Sequence, residues 1–139
     1  MELCEANAEF LLVGGWAVIL YGHVRATDDM DVFVRPSQDN SLRVTSALKA
    51  FGAPLAAWRY RQPFRSRRRR LPIRRGTTED RGPHKNSGVS LNDAMVEARA
   101  FEHASCKIPH IGKRALIQKK KSAGRHKDLA DVEELARIE

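Results

Sequence analysis

The sequence predicts an α/β (α+β) fold in which helices flank a mixed β-sheet. Short apolar segments rich in β-forming residues alternate with segments of helical periodicity, in the order β-α-β-α, an interruption, and α-β-α-α. The length of 139 residues suits one domain with a modest core. Charged residues make up 30% and hydrophobic residues 42%, and no apolar run approaches the roughly 20 residues of a membrane span. We therefore expect a single domain over residues 1–139 that does not associate with a membrane.

The first half of the chain contains two predicted strands, each followed by a helix. Glu9–Val13 is a short apolar run that ends at a double glycine, and Met30–Val34 alternates and is rich in β-forming residues. Trp16–Tyr21 is apolar on all sides, which predicts a short buried helix with both aromatic rings in the core. Ser37 caps the second helix, which ends at Gly52. The predicted apolar stripe of this helix consists of Leu42, Val44, Ala47, Leu48 and Phe51.

The second half is predicted to contain three helices and one strand. Ser90 caps a helix that carries Phe101 on its apolar face. Residues 106–111 are a strand candidate, residues 113–124 form a helix that ends at a glycine, and residues 125–139 form the last helix. The predicted apolar face of the last helix consists of Leu129, Val132, Leu135 and Ile138.

The middle of the chain, residues 57–86, follows neither the period of a strand nor that of a helix, and we expect it to be irregular. Residues 59–75 contain nine arginines and no acid, and removing these nine charges from the net charge of +8 leaves −1. The basicity of the protein is therefore a local feature of this segment. A run of like charges repels itself and cannot bury apolar area, so an exposed and poorly ordered insertion is predicted.

The two cysteines, Cys4 and Cys106, are too few for a disulfide framework and have no metal-binding spacing. We expect Cys106 to be a small buried apolar residue. The N-terminal residues lack the layout of a signal peptide. The sequence therefore predicts a cytoplasmic protein.

Two carboxylates, Asp29 and Asp31, lie two residues apart in the segment "TDDMDVFV". Residues two apart on a strand point to the same side, so these carboxylates should share a face while Met30 and Val32 point into the core. Two adjacent carboxylates repel each other unless a divalent cation lies between them. Mg²⁺ prefers such oxygen ligands, together with substrate phosphates. An exposed acidic turn before a strand is the alternative interpretation.

A glycine turn precedes this acidic motif. Gly14 and Gly15 follow the first predicted strand, where glycines allow backbone N–H groups to approach a phosphate. Arg25 and Thr27 lead into the two carboxylates. An ordinary turn would explain the glycines alone, but the combination favours a site for a metal-bound phosphate.

The segment "LLVGGWAVILYGHVRATDDMDVFV" resembles the core motif of the nucleotidyltransferase superfamily related to DNA polymerase beta. The most similar members are small bacterial nucleotidyltransferases, including toxins of abortive-infection systems, and "ALIQKKKSAGRHKDLADVEEL" resembles their C-terminal segment. The resemblance covers residues 9–55 and 87–135. It implies a minimal nucleotidyltransferase fold, transfer of a nucleoside monophosphate from an NTP to a hydroxyl of RNA, protein or a small molecule, a two-metal Mg²⁺ site, and an antitoxin protein as partner.

The resemblance also assigns roles to individual residues. Asp29 and Asp31 would be the catalytic carboxylates that bind Mg²⁺. In the C-terminal segment, Lys120, Arg125, Lys127 and Asp128 match the pattern of the family. The three basic residues would lie near the phosphates. Alternatively, basic residues at the end of a helix offset the negative end of the helix dipole. For Lys119 and Lys121 we prefer this second role. The implied nucleotide-binding residues are Gly14, Gly15, Arg25, Thr27, Lys120, Arg125 and Lys127.

The resembled family also uses a third carboxylate, borne on a strand just before an element similar to Ser87–Leu91. Here the only nearby acids are Glu79 and Asp80, in a segment without strand character. Permitted codons for residues 59–86, read one nucleotide later, spell "DIDSRSDPGVVVFRFGVAPRRIEVLTKI", which contains apolar strand runs and an acid within "RRIEVLT". We therefore interpret residues 57–86 as a frameshifted stretch, which would leave the sheet and the metal site incomplete.

Three functions remain open from the sequence. The chain is an active nucleotidyltransferase, or an inactive remnant of that fold, or a basic module that binds nucleic acid through its arginine-rich segment. Sparse aromatic residues among the arginines disfavour the third function. The coding DNA would distinguish the nucleic-acid-binding function from the other two. If the adjacent reading frame encodes the strand-rich string, the arginine-rich segment results from a frameshift and that function loses its basis.

Overall fold

The computed structural model describes residues 2–53, 73–75 and 89–138, and for residues 73–75 only the backbone. Within these ranges the chain forms five strands and six helices. The strands are β1 (Phe10–Val13), β2 (Asp31–Val34), β3 (Ile73–Arg75), β4 (Arg99–His103) and β5 (Cys106–His110). The helices are α1 (Glu2–Glu5), α2 (Gly14–Leu20), α3 (Gln38–Ala50), α4 (Leu91–Val96), α5 (Lys113–Ala123) and α6 (His126–Arg137).

The strands form one mixed sheet in the order β3-β2-β1-β5-β4. β1 and β2 pair in antiparallel fashion over four residue pairs, from Phe10 opposite Val34 to Val13 opposite Asp31. β4 and β5 also pair antiparallel, whereas β3 runs parallel to β2 and β5 runs parallel to β1. The predicted class, a mixed sheet with helices, is confirmed.

The central strands are buried on both faces of the sheet. Leu11 and Val13 of β1 belong to one cluster of buried side chains, which includes residues of α2, α4, α5 and α6. Leu12, between them, belongs to a second cluster together with Val44 and Leu48 of α3. Side chains alternate across a strand, so helices on both faces explain why β1 is apolar without interruption.

Most predicted elements are present. The predicted strands over Glu9–Val13 and Met30–Val34 correspond to β1 and β2. Ser37 and Ser90 cap α3 and α4, each accepting a hydrogen bond from a backbone N–H three residues later. α5 ends at Gly124, which adopts a left-handed conformation with φ of 62°.

Several apolar residues that the sequence placed in the core are exposed instead. Met30 precedes the first residue of β2, so the alternation of the strand does not extend to it. Trp16, Leu42 and Leu129 lie on the exposed sides of α2, α3 and α6, and Phe51 follows the last residue of α3. The exposed residues are Trp16, Met30, Leu42, Phe51 and Leu129.

The predicted helix from Ser90 through Phe101 is wrong in its second half. α4 ends at Val96, and Arg99–His103 forms strand β4. β4 pairs with β5 over five residue pairs, from Arg99 opposite His110 to His103 opposite Cys106. This hairpin overrides the local helical pattern, since strand pairing depends on a partner segment that the pattern does not include.

Part of the arginine-rich segment contributes to the sheet, where the sequence predicted irregular chain. Ile73–Arg75 forms β3 and pairs with Val32–Val34 of β2. Backbone groups at a sheet edge can pair with almost any sequence, which explains a strand without a strand-like pattern. The rest of residues 57–86, including Glu79, Asp80 and the proposed frameshift, lies outside the described residues.

The two cysteines are adjacent, which the sequence did not predict. Cys4 of α1 and Cys106 of β5 form a disulfide with their Cα atoms 6.0 Å apart. Cys106 is buried, as expected. In the described part of the chain, none of the helices combines the length and apolar character needed to cross a membrane.

His110, at the end of β5, is a buried titratable side chain. It is 5% exposed, and its Nδ1 has no hydrogen-bond partner among the described residues. The ring meets Tyr21 edge-on, with 5.3 Å between the ring centroids. Burial lowers the pKa of His110 below its ordinary value, and the charge of Arg99 adds to this effect although a backbone hydrogen bond at Ile111 opposes it.

This environment predicts stability that is lost in mild acid. Below about pH 6.5 the unfolded chain binds a proton at His110 that the folded chain does not, so the free energy of unfolding falls as the pH decreases. Urea unfolding between about pH 8 and pH 5 should show a smaller loss for His110→Gln than for the wild type. His103→Gln, at an exposed histidine of β4, is the control and should keep the wild-type slope. Identical slopes for His110→Gln and the wild type would contradict the prediction.

Candidate functional site

The glycine turn and one of the predicted carboxylates are in direct contact. The antiparallel register places Val13 opposite Asp31, and Gly14 follows at the end of β1. A Cβ atom at Gly14 would lie 2.4 Å from Oδ2 of Asp31, and Gly14 has a φ of +69°. Both the close approach and the backbone conformation require glycine at this position. β1 and β2 are therefore neighbours in the sheet, and the glycine turn lies beside Asp31.

The second glycine contacts the residues that lead into the acidic motif. A Cβ atom at Gly15 would lie 2.6 Å from Oγ1 of Thr27 and 2.9 Å from Nη2 of Arg25. The hydroxyl of Thr27 donates a hydrogen bond to the backbone carbonyl of Asp29 at 3.2 Å. Four of the predicted site residues are thus linked through short contacts around the start of α2.

Asp29 is placed differently from the prediction. β2 begins at Asp31, so Asp29 lies before the strand and is exposed, and the two residues do not share a strand face. The prediction for Asp29 was wrong because it treated the strand as starting two residues before its first residue, Asp31. Neither carboxylate forms a hydrogen bond or an ion pair with another side chain in the described ranges.

A cavity of about 450 Å³ brings the front motif and the C-terminal segment together. Arg25, Thr27 and Asp29 line one side of it, and Lys127 and Asp131 of α6 line the other. Resemblance alone had linked these two parts of the chain, which are about 100 residues apart in sequence. The structure places Arg25, Thr27 and Asp29 around one space with the C-terminal residues, whereas Gly14, Gly15 and Asp31 do not line this cavity.

Beside this cavity is a cluster of charged side chains centred on Lys120 of α5 and on Asp128 and Asp131 of α6. Nζ of Lys120 donates to Oδ1 of Asp128 at 3.0 Å and to Oδ2 of Asp131 at 2.5 Å. Nη1 of Arg25 donates to both carboxylate oxygens of Asp131, at 2.8 and 3.1 Å. Nε of Arg125 donates to Oδ2 of Asp128 at 2.5 Å. We call these five residues the ion cluster.

The ion cluster is arranged so that every buried charge has a partner. Lys120, Asp128 and Asp131 are 6%, 1% and 2% exposed, whereas the side chain of Arg125 is mostly exposed. Three cations face two carboxylates, which leaves the cluster with a net charge of +1. Buried charges are tolerated only when paired and hydrogen-bonded, and here each carboxylate accepts from two different cations.

The pKa shifts follow from these contacts. Burial opposes ionisation of Asp128, but hydrogen bonds from Arg125 and Lys120 outweigh it and lower its pKa. The hydrogen bond to Asp128 is the main cause that raises the pKa of Arg125, against a smaller effect of desolvation. The charges of Asp31 and Asp131 raise it further. Arg125 therefore interacts electrostatically with Asp31, beside the glycine turn, as well as with the two acids of the ion cluster.

The basic residues predicted to contact nucleotide divide into two groups. Lys127 lines the cavity, and Arg125 is exposed near Asp31. Lys120 is buried, and its Nζ is held by two carboxylates, so it reaches the cavity only through Asp131 and Arg25. Its position explains why this lysine differs from the neighbouring solvent-facing Lys121.

Asp131 is the residue that the sequence predictions missed. It joins the front motif to the C-terminal segment, because it accepts hydrogen bonds from both Arg25 and Lys120. A signal was present: Asp128, Asp131 and Leu135 are spaced three and four apart, so two acids lie on the same helical face as a core leucine. Acids on a buried face require cationic partners, and this pattern could have indicated an ion cluster.

Comparisons with protein-family models, with curated proteins and with solved structures gave no match for this chain. Within residues 2–53, 73–75 and 89–138, no group of three or more His, Cys, Asp or Glu side chains is arranged to hold a metal ion. The candidate site therefore consists of the glycine turn, the carboxylates Asp29 and Asp31, the cavity and the ion cluster.

Proposed function

We propose that this protein is a nucleotidyltransferase-like domain that binds an Mg²⁺-NTP and transfers its nucleoside monophosphate to a hydroxyl of RNA, protein or a small molecule. The observation that carries the proposal is the contact between Gly14 and Asp31. A phosphate held against the backbone at this turn would also be next to a carboxylate able to bind its metal ion. The resemblance of the same residues to polymerase-beta-like nucleotidyltransferases supports the proposal, and a cytoplasmic location with an antitoxin partner belongs to it.

The acidic side chains near the turn are of the kind that a divalent cation prefers. Asp29 and Asp31 present carboxylate oxygens that no described cation pairs with directly, and Mg²⁺ prefers such ligands. These two residues would hold the ion, which would neutralise phosphate charge and polarise the transferring group. Arg25 and Lys127 would add positive charge along the cavity for the triphosphate.

The proposed reaction is an in-line displacement at the α-phosphorus. A hydroxyl oxygen of the acceptor forms a bond to this phosphorus, the bond from phosphorus to the bridging oxygen breaks, and pyrophosphate leaves. The hydroxyl proton must pass to a base, which in the resembled family is the third carboxylate. The absence of side chains at Gly14 and Gly15 lets Asp31, Thr27 and Arg25 lie against the turn. Arg25, fixed by Asp131, would orient the phosphates there.

A second candidate function is nucleotide binding with little or no transfer. The observation that favours it is that Asp128 and Asp131, the buried carboxylates next to the cavity, are each occupied by two cations. Neither is free to serve as the third carboxylate. In this case the domain would bind Mg²⁺-NTP, as in the first candidate, and differ only in turnover.

Both candidates predict Mg²⁺-dependent binding of an NTP. Isothermal titration calorimetry with ATP, GTP, CTP and UTP should show binding of at least one nucleotide with Mg²⁺, and binding about tenfold weaker or worse for Asp31→Asn, a loss of about 1.4 kcal/mol. The matched control is Asp39→Asn, since Asp39 is an exposed aspartate in the first turn of α3. No binding of any of the four nucleotides, or equal affinities for the two variants, would contradict the proposal.

A further inference from the structure

The β4–β5 hairpin is joined to the rest of the sheet by a very short pairing. β1 and β5 pair only at Leu12 opposite His110, and the N–H of Ile111 donates to the carbonyl of Leu12 at 2.9 Å. By contrast, β1 pairs with β2 over four residue pairs and β4 with β5 over five. We call this contact between β1 and β5 the seam.

The seam opens toward the start of both strands. A cavity of about 460 Å³ lies there, lined among others by Phe10, Cys106 and Pro109. Pro109, within β5, has no N–H group and cannot donate a ladder hydrogen bond. The open end of the seam is therefore held by side chains rather than by backbone pairing.

The disulfide between Cys4 and Cys106 crosses this open end. Cys4 lies in α1, which leads into β1, and Cys106 is the first residue of β5. The Cα separation of 6.0 Å lies within the usual range for a disulfide, and the bond closes a loop with a sequence separation of 102. Cross-links that close long loops restrict the unfolded chain most, so this bond should contribute strongly to stability.

We propose that the Cys4–Cys106 pair is a reversible redox switch that fixes the β4–β5 hairpin to the rest of the domain when oxidised and releases it when reduced. Disulfides in reducing compartments are usually transient or redox-sensing, so the pair is compatible with a cytoplasmic protein. The proposal does not rest on nucleotide binding, because the glycine turn follows the opposite end of β1.

The chemistry of the switch is thiol–disulfide exchange with a small-molecule disulfide such as oxidised glutathione. The thiolate of Cys4, which is more accessible than Cys106, attacks one sulfur of the glutathione disulfide and releases one glutathione thiolate. The thiolate of Cys106 then attacks the mixed disulfide at Cys4 and releases the second glutathione. Two protons leave the protein thiols, and the two electrons reduce oxidised glutathione to two thiols.

The test uses the full chain equilibrated with oxidised glutathione or with dithiothreitol. We expect no free thiols and a monomer after oxidation, two free thiols after reduction, and a melting temperature lower by on the order of 5–15 °C in the reduced form. Cys4→Ser should melt at the same temperature with and without reductant, near the reduced wild type. Hydrogen exchange should become faster in β4 and β5 on reduction, and proteolysis of the oxidised chain should release a Cys4 peptide linked to a Cys106 peptide.

Several results would overturn the proposal. Two free thiols after oxidation, stable glutathione adducts on both cysteines, or a disulfide-linked dimer would show that the pair does not close within one chain. A melting temperature unchanged by reduction would show that the bond does not hold the hairpin. Cys106→Ser is not used, because Cys106 is 5% exposed and its replacement can destabilise the core by itself.

Discussion

Replacing Asp131 with asparagine is expected to lower the free energy of unfolding by about 3–5 kcal/mol. The substitution removes the carboxylate that accepts from both Arg25 and Lys120, and leaves Asp128 as the only acid of the ion cluster. Lys120 is buried, so water cannot replace the lost partner without a change in structure. Urea unfolding at about pH 7 measures the effect.

The matched control is Asp28→Asn, which makes the same chemical change at an exposed aspartate near the same cavity. It should change the free energy of unfolding by no more than about 0.5 kcal/mol. Asp131→Glu keeps the charge and should recover part of the loss. A loss for Asp131→Asn as small as that for Asp28→Asn would mean that the buried ion pairs contribute no net stability.

The sequence predicted the first half of the fold well because its patterns are local. The apolar run of β1, the double glycine and the alternation of β2 lie within 25 residues, and antiparallel pairing of such neighbours is the usual outcome. The contact between Gly14 and Asp31 follows directly from that pairing. Ser37 and Ser90 gave correct helix starts because capping depends on only three following residues.

The parts that the sequence did not predict depend on distant partners. β4 exists because β5 follows it in a hairpin, and the disulfide joins residues 102 apart in sequence. Asn40 is a further example: its buried amide group bonds the backbone of Glu9 and Arg35 and fixes α3 on the β1–β2 pair. A polar residue in a helical pattern gives no sign of such partners until the chain has folded.

The candidate site shows the same division. Gly14, Gly15 and Asp31 were predicted from spacing, whereas the contacts of Asp131 could be seen only once α6 was placed beside Arg25. The ion cluster also changes the interpretation of the basic C-terminal segment. Lys120 acts within the protein, and Lys127 remains the lysine of that segment that lines the cavity.

The largest effect on activity is expected from restoring the middle segment. Under the second candidate function, the chain as it stands should show little or no transfer. Glu79 and Asp80, the acids before Ser87–Leu91, lie in a segment without a strand-forming pattern, and the buried Asp128 and Asp131 are occupied by cations. Replacing residues 59–86 by the adjacent-frame string would supply strand-forming segments and an acid. Since proton transfer to a positioned base contributes typically about 10²–10⁴ in rate, transfer should rise by that order.

The assay follows labelled NTP into RNA or protein, with the original and restored chains at equal concentration. A matched control is the restored chain with glutamine in place of the glutamate that the shifted frame puts at position 81, which should lose the gain. In the restored chain, Asp29→Ala or Asp31→Ala should abolish transfer, because each removes a carboxylate expected to hold Mg²⁺. Robust transfer by the original chain that Asp31→Ala leaves unchanged would place the chemistry somewhere other than the glycine turn, since the reaction would then need neither the third carboxylate nor the contact with Gly14.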